Sequence, residues 1–417
     1  MSSLTTSSPD PGASYSVEVD LDAIAANVAA LRTRVGPAQV MAVVKADAYG
    51  HGVVPAARAA LRGGAAALGI AQLTEAIAAR DAGIDATLLT WLYAPGADVA
   101  GALDRGIEVT VSSLWQLQAV EHAARASGRT ARIHLKVDTG LARGGALLDG
   151  GESAWHELVA AVAPLAAEGV VEVRGTWTHF VYADAPDHAT VRSQQQVFHE
   201  AVAIAERGGL NPGVRHIANS AATLTNPSAY LDMVRPGLAV YGLSPVPDLG
   251  RPEDFGLREA MRVTARLALV KRVKEGQGVS YGHTWHAPRD TVVGLIPMGY
   301  ADGIPRAGGN LGPVQVGRAP HTTIAGRVCM DQMVIDLGPD FAGSAGDEVT
   351  IIGRGADGEP TAQDWAEAVG TINYEIVTRM APRVPRRYVG AGAGTDGQPP
   401  IDGRAQRADE RAGEGVR

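Results

Sequence analysis

The chain has 417 residues, 46% of them apolar and 20% charged, with a formal net charge of −8. That length suits two domains with a sizeable core, and the acidic balance argues against nucleic acid or an anionic membrane as a partner. Cys329 is the only cysteine, so no intramolecular disulfide can form, as expected for a reducing cytoplasm.

The opening MSSLTTSSPDPGAS has neither the basic start nor the apolar stretch of a signal peptide, and residues 1–14 are predicted to be disordered. After the strand-like SYSVEVD (14–20), Leu21, Ile24, Val28, Leu31 and Val35 recur at spacings of three and four, which predicts an amphipathic helix. Short apolar runs follow at 39–45, 67–71, 87–92, 107–111, 131–137, 170–178, 214–218 and 233–236. Stretches such as LWQLQAVEHAARA (114–126) separate most of them and suit helices, while the interval before the last run has room only for a brief one. Eight strands alternating with helices over about 220 residues match the α/β architecture of a (β/α)8 TIM-type barrel. An open doubly wound sheet would show the same alternation. The most apolar window, LVAAVAPLAA (158–167), is too short to cross a bilayer.

Near residue 257 the rhythm changes. RVTARLALVKRV (262–273), TVVGLIPMGY (291–300) and RVCMDQMVIDLG (327–338) read as strands between Gly-rich breaks, and only 361–381 reads as helical. The expected organisation is a barrel over 15–256, a mainly β C-terminal domain over 257–390 that 14–20 could join, and a disordered tail over 391–417.

If the eight runs are barrel strands, unusual polar residues collect at their C-terminal ends, the face on which barrel enzymes place their active sites. Lys45 ends the first run, with Tyr49 four residues on and two glycines with His51 predicting the turn that follows. Lys136 ends the fifth, with Asp138 and Arg143 beyond; His179 ends the sixth; Asn219 and Ser220 follow the seventh; Arg235 ends the eighth, before Pro236, Gly237 and Leu238. Singly, each has a plain structural reading. Lys45 fits a lysine snorkelling from a strand end, His179 a core histidine, Ser220 a helix N-cap, and Lys136 with Arg143 a charge cluster answered by Asp138. Together they place an amine whose pKa burial would lower, anion-binding amides and several cations on one rim.

The strings AVVKADAYGHG (42–52), HLKVDTG (134–140), HIANSAA (216–222), VRPGLAVYG (234–242), VSYGHTW (279–285), GYADGIPR (299–306), GRVCMDQM (326–333) and INYEI (372–376) resemble, in order, those of alanine racemases, the fold-type III enzymes that use pyridoxal 5'-phosphate. The resemblance covers about residues 15–390. It implies a cytoplasmic homodimer with shared active sites that interconverts L- and D-alanine and supplies D-alanine for peptidoglycan. No metal takes part. Lys45 would be the Schiff-base lysine and one catalytic base, and Tyr281, from the other subunit, the second. Tyr49, Ser220, Gly237, Leu238 and Tyr374 would hold the cofactor phosphate, Arg235 its pyridine nitrogen, and His179 and Asn219 would complete the cofactor set. Arg143 and the amide of Met330 would hold the substrate carboxylate, and Lys136 matches a lysine that the family often carries as a carbamate. Tyr300, Arg306, Arg327, Ile372 and Asp184 match positions lining an access channel. Leu141-Ala142 departs from the family, which often has Met-Gly there. A broader-specificity racemase, a fold-type III decarboxylase and a non-catalytic pyridoxal phosphate-binding barrel are the alternatives. The decarboxylase would be expected to put an acidic residue where this chain has RPG, and the non-catalytic barrel would lack the second domain.

Overall fold

The computed structural model describes residues 13–149 and 153–393. The expected disorder of 1–14 and 391–417 therefore falls almost wholly outside the described residues. The chain opens with β1 (Tyr15–Asp20), whose last residue caps the helix Leu21–Val35: Asp20 Oδ1 accepts from the amides of Asp22 and Ala23 at 3.0 and 2.9 Å. Eight parallel strands follow: β2 (Gln39–Val43), β3 (Ala67–Gln72), β4 (Leu88–Leu92), β5 (Glu108–Val111), β6 (Ala131–Asp138), then, after the two-residue β7 (Ala146–Leu147), β8 (Val171–Trp177), β9 (Val214–His216) and β10 (Met233–Val234). Each of the first seven is followed by a helix, the longest being Ala189–Arg207 and the last the six-residue Ser220–Thr225. Pairing runs β10-β2-β3-β4-β5-β6-β8-β9. Asp232 N donates to Arg215 O at 3.2 Å and Arg235 N to Ala218 O at 2.8 Å, drawing β9 and β10 together. The fold is thus a nearly closed eight-stranded barrel, and the open doubly wound sheet is excluded.

The strands of the second domain are β11 (Met261–Arg266), β12 (Leu269–Val273), β13 (Gly278–Val279), β14 (Trp285–His286), β15 (Thr291–Ile296), β16 (Pro313–Val316), β17 (Thr322–Thr323), β18 (Met333–Gly338), β19 (Glu348–Ile352) and β20 (Arg386–Val389). β11 alternates between buried and more exposed residues, the mark of a sheet covered on one face, whereas β15 and β19 are buried along most of their length. Six form the sheet β17-β16-β19-β11-β1-β20, so β1 pairs with second-domain strands on both sides. Val17, Val19, Val263 and Ile351 pack inward with Trp365, whose indole N–H donates to Ile351 O at 2.7 Å. Among the described residues no helix is long and apolar enough to cross a membrane.

Three local expectations are corrected. The first barrel strand stops at Val43, so Lys45 begins the next element instead of ending the strand. That element is a left-handed turn: Ala46, Asp47, Ala48 and Tyr49 all have φ between 51° and 56°, and none is glycine. The helical stretch at 361–381 is two helices, Ala362–Val369 and Asn373–Thr378, parted at Gly370, which takes the left-handed φ of a helix C-cap.

Candidate active site

β2 delivers Lys45 to the C-terminal rim of the barrel. The left-handed turn after it is held from outside, because four consecutive residues in this region would not persist alone. The Glu75 carboxylate accepts from the amides of Ala46 and Asp47 at 3.2 and 2.7 Å, and Asp47 Oδ1 accepts from Val53 N at 2.8 Å. His51 is fully buried, lies against Tyr241 with ring centroids 4.4 Å apart, and bonds Ala48 O and Tyr49 O through Nδ1. From the second domain, the helix Asn373–Thr378 packs on the turn and sets Tyr374 beside Tyr49, ring centroids 6.2 Å apart.

Around this turn the structure gathers most of the expected residues. Tyr49 is buried, with Lys45 Nζ 5.8 Å from its ring centroid. A Cβ built on Gly237 would lie 2.2 Å from Tyr49 Oη, so only glycine lets backbone and phenol approach this closely. Ser220 Oγ accepts from Gly237 N at 2.8 Å and Ala239 N at 3.4 Å. Serine is not the helix cap: Asn219 is, its Oδ1 accepting from Ala222 N at 3.1 Å, so the Asn219 side chain is turned to its own helix. Leu238 is buried behind the turn.

Arg235 follows β10 and is 6% exposed. Its NH1 donates to His216 O at 2.6 Å and meets His216 Nδ1 at 3.2 Å; its NH2 donates to Thr178 O at 2.7 Å and meets His179 Nδ1 at 3.5 Å. No hydrogen bond from its Nε is found among the described residues. Lys136 lies within β6, its Nζ 4.5 Å from the Trp177 ring centroid, and the Arg235 guanidinium is 4.7 Å from the same ring. Arg143 is exposed on the loop after β6, where Asp138 Oδ1 accepts from the amides of Gly140 and Ala142 at 2.9 and 3.2 Å.

Burial and mutual repulsion shift the pKa values of these groups. Burial, then the charges of Arg235, Arg143, Lys136 and Lys45, hold His179 well below the usual imidazole range, so it is neutral. Burial and the Arg143 charge lower Lys45, against the pull of Glu75. Lys136 is brought down to about 8 by burial, Arg235 and Arg143. Burial, with the charge of Asp184, pushes Tyr374 up to about 12. The rim therefore carries surplus positive charge, suited to anions.

A second group stands apart. Tyr281, in the short 3-10 turn after β13, is 71% exposed and lines a cavity of about 300 Å³ with Tyr300, Arg306, Arg327, Val328 and Cys329, all from the second domain. Met330 and Ile372 are likewise exposed. Sequence pattern alone does not single out Glu75, Trp177, His216 or Tyr241. The quoted motifs contain only His216 and Tyr241 of these, and the contacts of all four are long-range.

A barrel whose rim presents a lysine with lowered pKa, a glycine turn and a buried arginine, joined to a β domain with an exposed tyrosine, defines a barrel enzyme for an anionic cofactor and substrate. Comparisons name the family. Models of the alanine racemase N-terminal and C-terminal domains match residues 19–245 and 260–388. The chain is 56% identical over 375 residues to the alanine racemase of Salinispora tropica, covering 90% of this chain and 98% of that one. It is 54% identical over 371 residues to that of Frankia casuarinae, covering 89% and 95%. The crystal structure of alanine racemase from Streptomyces lavendulae superposes with a TM-score of 0.90 at 51% identity, over 93% of this chain and all of that one. The chain belongs to the alanine racemase family, whose enzymes depend on pyridoxal phosphate.

Proposed function

We propose that this protein interconverts L- and D-alanine with pyridoxal phosphate, using Lys45 on one face of the substrate and Tyr281 of the partner subunit on the other. The observation that carries the reading is the convergence of Lys45, the Tyr49–Gly237 contact and Arg235 on one rim. The D-alanine produced serves peptidoglycan synthesis, in the cytoplasm. The division into a barrel over 15–256 and a β domain over 257–390, with β1 lent to the second sheet, is part of the same proposal.

The residues present fit the cofactor. Gly237 keeps its backbone clear of any side chain beside two phenols, Tyr49 and Tyr374, and the Ser220 hydroxyl, a donor set for a phosphate. Lys45 would hold its aldehyde carbon, and Arg235 would meet its ring nitrogen, with His179 and Asn219 flanking. When bound, the cofactor delocalises the electron pair left by the departing α-proton.

The chain's own residues then move that proton. Lys45 Nζ, its pKa lowered by burial and Arg143, takes or returns the proton on one face. Tyr281 Oη does the same on the other face, one base for each antipode. Arg143 and the Met330 amide hold the substrate carboxylate. Within a single chain Tyr374, not Tyr281, stands beside Tyr49, and Tyr281 projects 71% exposed, which supports its use across a dimer. Lys136, with a pKa near 8, has a neutral fraction able to add carbon dioxide and release a proton, giving a carbamate that offsets the charges of Arg143 and Arg235. Tyr300, Arg306, Arg327, Ile372 and Asp184 would line the access channel.

Optical rotation of several L-amino acids incubated with purified protein tests the activity. Alanine should lose rotation fastest. Release of carbon dioxide in place of racemisation, or no change in any amino acid, would overturn the reading.

A further inference from the structure

Barrels of this kind are usually filled by branched apolar side chains. Here a polar file crosses the interior. Glu108 Oε2 on β5 is 2.8 Å from His134 Nε2 on β6, His134 Nδ1 is 2.9 Å from His216 Nε2 on β9, and His216 Nδ1 is 3.2 Å from Arg235 NH1. The four side chains are almost dry, with exposures of 4%, 3%, 0% and 6%.

Neighbours shape the file. A Cβ on Gly175 of β8 would lie 2.5 Å from His134 Nδ1, so the bare glycine makes room for the ring. Trp177 lies parallel to His216, with centroids 5.8 Å apart and planes 6° apart. The far oxygen of Glu108 faces Arg174 Nε at 3.5 Å. Burial alone would raise the Glu108 carboxyl, but the His134 hydrogen bond and Arg174 bring it below the usual carboxylate range, so it is ionised.

The ends of the file determine where its protons sit. A guanidinium only donates, so His216 Nδ1 must accept and carries no proton. His216 is neutral, held far below the ordinary pKa by burial and by Arg235. Its proton is therefore on Nε2 and is donated to His134 Nδ1. That nitrogen is bare in turn, which leaves the His134 proton on Nε2, given to a carboxylate that only accepts. A donor-only cation and an acceptor-only anion thus polarise two imidazoles in one direction.

We propose that Glu108 is a positioning residue for the reaction: through His134 and His216 it fixes the direction of this hydrogen-bond file and so holds Arg235 as an oriented donor toward the cofactor's ring nitrogen. The inference rests on the role of Arg235 proposed above. A glutamine in place of Glu108 has nearly the same shape but can also donate. It would let the file reverse, placing a proton on His216 Nδ1 against the guanidinium.

The test is the nitrogen-15 spectrum of histidine-labelled holoenzyme, wild type and Glu108→Gln, read without turnover and so independent of whether Arg235 governs catalysis. In the wild type, His134 and His216 should each show a bare Nδ1 and a protonated Nε2. In Glu108→Gln a second population with protonated Nδ1 should appear, and the affinity for pyridoxal phosphate should fall by about tenfold, the scale of a lost bond to a charged group. If Glu108 merely filled space, the Glu108→Gln variant would leave both readouts unchanged, and that result overturns the proposal. Should the variant fail to fold, the wild-type spectrum decides, since a proton on His216 Nδ1 overturns the file outright.

Discussion

Arg235 commits both terminal nitrogens to the protein, to His216 and Thr178, so its plane is set before any ligand arrives. Burial lowers its pKa to about 9, which still leaves it cationic at neutral pH. A fixed cation cannot readily hand a proton to a pyridine nitrogen, whereas a carboxylic acid could. Replacing Arg235 with Glu should lower racemisation on the order of 10²-fold, the scale seen when one preorganised donor is removed. Transamination, followed as pyruvate released from alanine, should rise relative to it. An unchanged ratio, with cofactor bound and the fold intact, would show that Arg235 does not control the ring. Ala142 gives a residue-scale test of stability. Its φ of 55° places a Cβ in the left-handed region, at the position where the family often has glycine, and the Asp138 hydrogen bond supports it. Ala142→Gly should raise the unfolding free energy by about 0.5–1 kcal/mol, relief of strain outweighing the extra freedom of the unfolded chain. A denaturant midpoint that falls would mean the strain is absent.

At the scale of the element, the left-handed turn after Lys45 is the costly piece. Four residues in that region cost roughly 4–8 kcal/mol, and the two Glu75 hydrogen bonds, at about 1.5–3 kcal/mol each, offset much of it. Glu75→Ala should therefore lose about 3 kcal/mol in denaturant unfolding and bind pyridoxal phosphate more weakly, because the turn carries Lys45 and Tyr49 together. Glu75→Gln keeps one acceptor and should lie between. Equal midpoints for all three would remove Glu75 from the argument. His51, beneath the same turn, adds a pH dependence. Burial lowers its pKa from 6.5 to about 4, so between those values the unfolded chain binds a proton that the folded chain refuses. Stability falls as pH drops through that window and is restored as it rises, by about 3 kcal/mol in all. The stability difference between wild type and His51→Gln should shrink from pH 6.5 to pH 4. A difference independent of pH would mean that His51 is already solvated.

At the scale of the whole molecule, what was legible in the sequence was what repeats or what lies close along the chain. All eight barrel strands fell within or across the apolar runs, because each is a short, mostly apolar stretch bounded by polar turns. The rim residues were legible because strand ends fix their position. The turn at Ala46–Tyr49 was not, since its φ angles are imposed by Glu75, from the helix after the next strand, and by His51. His134 and His216 were equally opaque: each lies in a barrel strand and finds its partner 82 residues away in the other. Tyr281 was legible only through resemblance, because it is an exposed residue whose proposed partner is on another copy of the chain. If it serves the neighbouring site, Lys45→Ala and Tyr281→Phe are each inactive alone yet complement when mixed. A heterodimer then has one site with both lesions and one with neither. Random exchange makes half of the dimers mixed, each with one working site of two, so activity should recover to about one quarter of wild type. Size-exclusion chromatography of differently tagged subunits verifies that exchange occurred. Exchange with no recovered racemisation would mean that Lys45 and Tyr281 act within one chain, and the exposed tyrosine would then have to fold back onto its own barrel.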